Sequence, residues 1–412
     1  MRVATLFKRL LRLGRERVVG VELIEGENER VVVDIARPAR RRMRCPGCGH
    51  TTRAIYDRSI RSWRHLDALR TRVILRAEVR RIDCPACGVV AEEVPWARPG
   101  SRFTRAFENS CAFLARDAPK SVVARLMRID WATVGRMIER VVDEATAARG
   151  DGLDGLRRIG VDEVAYRKGH RYLLCVVCHD TGRIVWAAPG RSQATLAAFF
   201  CELGPGRCRA IEAVSVDLHG AWPEVIRAMA PQAAICADPF HVVKLAGEAL
   251  DALRRADWQR LRREDPEAAR WFKGTRFLLR RRADTLSDGQ RDLIEGLAAT
   301  NERVYRGWLY VDQLRAIYAT TDQAEAARLL DEWCESAWRS DLPEFRRVAR
   351  TFTANAERIV NAIHLGINNA RIEAMNSTVR LMSHRSRGFR RVESLLALIQ
   401  LVCGKIPVAL PT

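Results

Sequence analysis

The chain has 412 residues, 48% of them hydrophobic, and a formal net charge of +20 with a pI of about 10.1. That is ordinary globular material, enough for two to four domains, and no apolar run approaches the roughly 20 residues a membrane span needs. The charge favours a polyanionic partner, nucleic acid first; 50 Asp and Glu and the lack of a long basic tail argue against a ribosomal or membrane-surface protein.

The opening stretch, "MRVATLFKRLLRLGRER", is too interrupted by arginine to be a secretory leader, so a cytoplasmic or nucleoid-associated protein is expected. Twelve cysteines in a chain this long are no disulfide scaffold. Four of them form a pattern: Cys45 and Cys48 in "CPGCGH", and Cys84 and Cys87 in "CPACGV". Each C-P-x-C-G knuckle is a tight turn that brings two thiolates together. Two knuckles complete a closed tetrahedral site, which suits structural rather than catalytic zinc. The spacer between them reads as strands, notably "RTRVILRAEVRRIDC".

Residues 119–142, "PKSVVARLMRIDWATVGRMIERVV", carry two blocks of helical periodicity separated by Arg128, Ile129 and Asp130, with Asp130 an N-cap for the second. As a helix-turn-helix, the second block would offer Trp131, Thr133, Arg136 and Arg140 to a DNA groove, with Arg125 meeting phosphate. An ordinary helical hairpin is the alternative.

From 158 onward the period changes. "RRIGVDEVAY", "HRYLLCVVCHD" and "IVWAAP" form an antiparallel meander, followed by a helix ("SQATLAAFFCEL"), a buried strand ending in an acid ("IEAVSVDLHG"), a short helix ("AWPEVIRAMA") and a strand entering a helix ("QAAICADPFHVVK"). A meander of three strands followed by two reached through crossovers is the order of a ribonuclease H-like α/β sheet. A doubly wound nucleotide fold would want a Gly-rich loop after its first strand, and none is present. In the expected sheet the first strand's middle, Asp162, lies next to the fourth strand's end, Asp217. Two carboxylates there repel unless a divalent cation sits between them. The best third ligand is Glu373 in "NNARIEAMNSTVR", where Glu373, Asn376 and Arg380 share a helical face, with Asn376 and Arg380 as DNA contacts and the arginine meeting phosphate. Neighbours on a strand face opposite ways, so Glu163 points away from Asp162 and should pair with an arginine. Lys168 and His170, at the following turn, are candidate DNA contacts. Cys175 and Cys178 face opposite sides and belong to the core.

The paired CxxC knuckles, "VPWARPGSRFT", "GVDEVAYRKGHRY", "VSVDLHG", "ADPFHVVK", "RIEAMNSTVR" and "SRGFRRVESLLALI", in this order, resemble the ISL-three family of bacterial insertion-sequence transposases of the DDE type. The resemblance implies that Asp162, Asp217 and Glu373 are a catalytic triad binding two Mg2+ or Mn2+ ions. Asp238, His241 and Lys244 match a family motif and are given an accessory role. It further implies binding to double-stranded DNA at terminal inverted repeats and target, cleavage and strand transfer, Arg380 and Arg385 on the phosphate backbone, and a homodimer that joins two ends. The expected layout is 1–100 with the zinc module, 101–150 helix-turn-helix, 151–244 first part of the catalytic core, 245–355 a helical insertion, and 356–412 the helical remainder of the core. Most insertion aromatics should be core, though one such as Trp308 could stack on a distorted base. A domesticated DNA-binding regulator and a nuclease without strand transfer are the rival readings.

Overall fold

The computed structural model describes residues 3–410 except 28, 39, 40, 168, 219, 221, 368, 369, 387, 388 and 390, and the backbone alone of 370 and 371. Two compact units divide the chain: Met1–Gly150 with Phe389–Thr412, and Asp151–Gly388.

The first unit opens with helix α1 (Val3–Leu10), β1 (Arg17–Ile24) and β2 (Arg30–Ala36). A small hairpin of β3 (Met43–Arg44) and β4 (Thr51–Thr52) precedes β5 (Asp57–Arg64), β6 (Arg72–Cys84) and β7 (Gly88–Ala91). The sheet runs β1-β2-β6-β5, with β7 on β6. Alternation along β6 buries Val73, Leu75, Ala77 and Val79 against Val33, Ile35, Trp63 and Trp96. The β2–β6 pair is parallel, a long-range pairing that no local periodicity announces. Helices α2 (Arg105–Asp117), α3 (Lys120–Leu126) and α4 (Trp131–Arg149) follow. Asp130 caps α4 by accepting from the Ala132 amide at 2.8 Å, as its sequence position suggested.

The second unit contains β8 (Arg158–Arg167), β9 (Arg171–Cys178), β10 (Arg183–Pro189), α5 (Gln193–Leu203), α6 (Pro205–Cys208), β11 (Ala213–Val216), α7 (Trp222–Met229), β12 (Ala234–Ala237) and α8 (Pro239–Glu264). Its strand order is β10-β9-β8-β11-β12: the antiparallel meander, then two strands parallel to β8. One face buries Ile159, Val161, Val214 and Val216 against Leu196, Phe199 and Phe200 of α5 and Ile226 of α7. Helices α9 (Pro266–Gly274), α10 (Asp288–Thr300), α11 (Glu302–Ile317), α12 (Gln323–Arg339), α13 (Pro343–Thr353) and α14 (Ala356–His364) build a second core with α8. Trp308 and Trp333 are buried in it, so Trp308 serves packing and not base stacking. Helix α15 (Ala370–Arg385) returns to β8. A Cβ at Gly160 would come within 2.1 Å of Ile372 Cδ1, so glycine is what lets the helix lie on that strand.

The expected core segment 356–412 is divided. Helix α16 (Val392–Val402) packs on α4 and α2, placing 389–412 in the first unit. Its Leu395, Leu398, Ile399 and Leu401 are all buried, and Ser394 donates to Glu139 of α4. No described helix is long and apolar enough to cross a membrane.

Candidate functional site

In the N-terminal module all four knuckle sulfurs lie within 4.8 Å of one another, Cys48 and Cys84 at 3.4 Å. Tetrahedral zinc–sulfur bonds of ~2.3 Å give edges of roughly 3.8 Å, so the set fits zinc. The β3–β4 hairpin holds the first knuckle and the β6–β7 turn the second; the Cys45 amide donates to the His50 carbonyl at 2.8 Å, and Cys84 pairs with Gly88. Backbone amides of Cys48 and Gly47 draw the Cys45 thiol down to about 7, while its sulfur neighbours push Cys87 up to about 12. Crowded thiols with opposed affinities for a proton suit a cation that replaces the protons.

On the helix-turn-helix, Arg125 and Arg136 are exposed, and Arg136 donates to Thr133 Oγ1 at 3.1 Å. The other two expected groove contacts are engaged elsewhere. Trp131 packs on Lys120, whose Nζ lies 3.8 Å from the indole centroid and 4.2 Å from that of Phe389. Lys120 is buried, which pushes its pKa down to about 8. Arg140 turns inward to the fully buried Glu108, which Arg98 and Ser101 also contact.

The acids gather on the Gly160 face of the second unit. Register sets Ser215 beside Gly160, so the next residues bring Asp217 alongside Asp162 where β11 ends. Asp162 Oδ1 accepts from the Glu163 amide at 2.7 Å, and Oδ2 from Asn376 Nδ2 at 2.5 Å. Burial raises the Asp162 pKa above the usual carboxylate range, and those two donors oppose the rise. Glu373, one turn before Asn376 on α15, is raised by burial and by the charges of Asp238 and Asp162; His241 and Arg380 oppose this. Glu373, Asp162 and Asp238 therefore share one electrostatic field, and Asp217 is linked to it through His241. Among the described residues, however, only the four cysteines bring three or more potential ligand atoms within 4.8 Å of one another. Oxygen-only donors with a costly buried charge fit hard divalent cations such as Mg2+ or Mn2+.

Asp238 is buried and caps α8, accepting from the Phe240 amide at 2.8 Å. Its other oxygen contacts His241 Nδ1 at 2.9 Å, and the same nitrogen lies 3.7 Å from Asp217. That hydrogen bond raises the His241 pKa, burial opposes the rise, and Asp217 adds to it. Lys244, one turn further, faces Glu248 at 3.8 Å. Glu163 points away and meets Arg191 at 3.8 Å, as alternation required.

Asn376, expected to touch DNA, is 4% exposed and spends its amide on Asp162; it supports an acid and does not reach for phosphate. Arg380 and Arg385 are exposed toward the end of α15, and His170 sits in a left-handed turn with φ +56°. Lys168 lies outside the described residues. Cys175 and Cys178 are both buried, Cys175 opposite Asp162 in the ladder. Sequence reasoning missed Arg358, whose Nη2 donates to the Asp217 carbonyl at 2.7 Å and whose pKa burial holds down. An arginine 141 positions away carries no local signal of that role.

Three family models match the chain. One described as "Transposase", the DDE type of ISL3, covers residues 159–399; "Helix-turn-helix domain of transposase family ISL3" covers 92–142. The third, "zinc-finger of transposase IS204/IS1001/IS1096/IS1165", covers 41–87. The chain is 36% identical over 437 residues to "Transposase for insertion sequence element IS1557" of Mycobacterium tuberculosis, covering 100% of this chain and 98% of that protein. It is 29% identical over 388 residues to "Transposase for insertion sequence element IS1001" of Bordetella parapertussis, covering 92% and 94%.

Proposed function

Because the chain belongs to the ISL3 family of transposases, we propose that Asp162, Asp217 and Glu373 are its catalytic acids, holding two Mg2+ or Mn2+ ions for cleavage and strand transfer. The substrate is DNA bearing the terminal inverted repeats of an insertion sequence, bound by the zinc module and helix-turn-helix of residues 1–150. The observation that carries this reading is the register that brings Asp217, just past the end of β11, beside Asp162 of the neighbouring parallel strand β8, with α15 laid across Gly160 so that Glu373 enters the field of Asp162. The strand order supports a ribonuclease H-like core, with 245–355 as its helical insertion.

Bound ions would activate water, and later a 3′-hydroxyl, and offset charge on the leaving oxygen. The protein's own groups do the rest. Asn376 and the Glu163 amide fix the orientation of Asp162, and Arg358 holds the backbone of Asp217. His241, between Asp217 and Asp238, limits the repulsion among acids. Arg380, whose charge reaches Glu373, and Arg385 offer cations to the phosphate backbone. Two ends must be joined, which calls for a homodimer in the DNA complex, working in the cytoplasm at the nucleoid.

The test is an excision and strand-transfer assay on labelled element ends with Mg2+. Asp162→Asn, Asp217→Asn and Glu373→Gln should each retain end binding and abolish cleavage. A variant that excises at the wild-type rate removes its residue from the triad.

A further inference from the structure

A cavity of about 440 Å3 lies between α8, the segment that follows α9, and α11, inside the ~300–1,000 Å3 range of small-molecule sites. Its floor is apolar, formed by Leu250, Leu279 and Val311, none of them more than 4% exposed. Phe240 stands in its wall with 46% of its surface exposed. The Phe240 backbone amide is tied to Asp238 at 2.8 Å, and its ring meets the His241 ring edge-on at 5.5 Å. One helical turn thus presents a ring to the cavity and, at the next residue, an imidazole to Asp217 and Asp238.

The lining is strongly cationic, with six Lys or Arg against two acids. Glu248 is matched by Lys244, and Asp251 by Arg254 and Arg255. Arg276 shares the field of Asp251, which Arg254 and Arg255 already pair, and Arg280 makes no ion pair within 4 Å among the described residues; Arg315 feels Asp312 and Asp284 and donates to the carbonyls of Arg280 and Arg281 at 3.1 Å. An anion alone would not need the apolar floor, and an apolar ligand would not need the surplus cations. A nucleotide unit has both halves, a flat base and a phosphate.

We propose that this cavity receives one nucleotide of the DNA, extruded from the duplex next to the scissile phosphate. Its base stacks on Phe240 over Leu250, Leu279 and Val311, and its phosphates meet Arg276 and Arg280. The proposal rests on the reading of the neighbouring acids as the cleavage site. A protein that accepts an extruded base pays the unpairing cost itself, so relieving that cost in advance tightens binding.

The test uses the full chain without divalent metal and reads fluorescence anisotropy on duplexes of the element's terminal repeat. In each duplex a single nucleotide is left unpaired, position by position, across the outer boundary of the repeat. One position should bind about tenfold or more tighter than the fully paired duplex. Phe240→Ala should weaken that complex about 5- to 150-fold, the range for a lost base–aromatic stack. Phe240→Trp should restore it, and Arg276→Ala with Arg280→Ala should remove the preference. A scan in which no position gains, or a gain unchanged in both the Phe240→Ala and the double arginine variant, overturns the proposal. The same phosphate-and-base chemistry could come from a free nucleotide, so a deoxynucleoside monophosphate is the second probe. Saturable binding of it that does not displace the unpaired duplex assigns the cavity to a free nucleotide and also overturns the proposal. Cleavage is not read, so a negative result here leaves the acid-site reading standing, and failed excision leaves this binding result standing.

Discussion

Asn376 Nδ2 donates to Asp162 Oδ2 at 2.5 Å, joining α15 to β8, while Asn376 Oδ1 is buried with no hydrogen-bond partner among the described residues. The amide therefore fixes one carboxylate in orientation and presents a lone acceptor beside it. Supporting groups of this kind alter metal affinity or activity by ~10- to 100-fold when removed. Asn376→Ala should slow cleavage by about that factor and raise the Mn2+ concentration needed for half-maximal rate, with end-binding affinity unchanged. Asn376→Asp should be worse, because it sets a second negative charge against Asp162. A fall in DNA affinity with an unchanged metal requirement would instead make Asn376 a DNA contact.

The zinc knuckles make a separate prediction. Cys45 and Cys84 are buried in a satellite core with Met43 and Ile82, so the ion would tie two turns to the end of β6. Cys45→Ser should lower bound zinc from one equivalent to none and loosen residues 41–91, read by elemental analysis and hydrogen exchange. Structural zinc contributes on the order of 10–16 kcal/mol in small modules, so β3, β4 and β7 should not survive its loss. Undiminished zinc content would end the assignment.

Much of the second unit was legible because its information is local. Alternation and turn residues gave the meander, and an acid in the middle of one strand and another at the end of its neighbour pointed to the adjacency of Asp162 and Asp217. What failed was direction. Glu373 and Asn376 share a helical face, but only the packing of Ile372 on Gly160 decides that this face meets β8 instead of DNA. Arg140 looks like a groove contact until Glu108, 32 residues earlier, claims it. The return of 389–412 to the first unit is equally non-local, since the broad apolar face of α16, Leu395, Leu398, Ile399 and Leu401, does not say which core it joins.

The two helix-turn-helix arginines should therefore behave differently. Arg136 is exposed on α4, and if it contacts phosphate, Arg136→Ala should weaken end binding and flatten the salt dependence of log affinity by ~0.9. Arg140→Ala should leave that slope alone and cost roughly 1–3 kcal/mol of stability, the scale of a lost hydrogen bond to a buried charge. Glu108 would retain Arg98 and Ser101, which limits the damage. Denaturant melts and anisotropy titrations at several salt concentrations separate the two; equal slope changes would refute the division of roles.

His65 links the end of β5 to the first of these helices: its Nδ1 lies 2.9 Å from Thr104 Oγ1, and Thr104 caps α2 by accepting from the Phe107 amide. Burial pulls the His65 pKa down from 6.5 to about 4, with Asp67 opposing the shift. The folded state thus refuses a proton that the unfolded state takes up. Between those two values the unfolded chain binds more protons, so stability is full above pH 6.5 and is lost as pH falls toward 4. The loss attributable to this ring is on the order of 3 kcal/mol. Chemical denaturation of the full chain from pH 7 to pH 4 should show that slope on a probe in the first unit, such as Trp63 fluorescence. His65→Gln, which keeps a polar group near Thr104 without the titration, should remove this part of the slope. An unchanged slope in the variant would place acid sensitivity elsewhere, at carboxylates such as those paired with Arg76, Arg81 and Arg105.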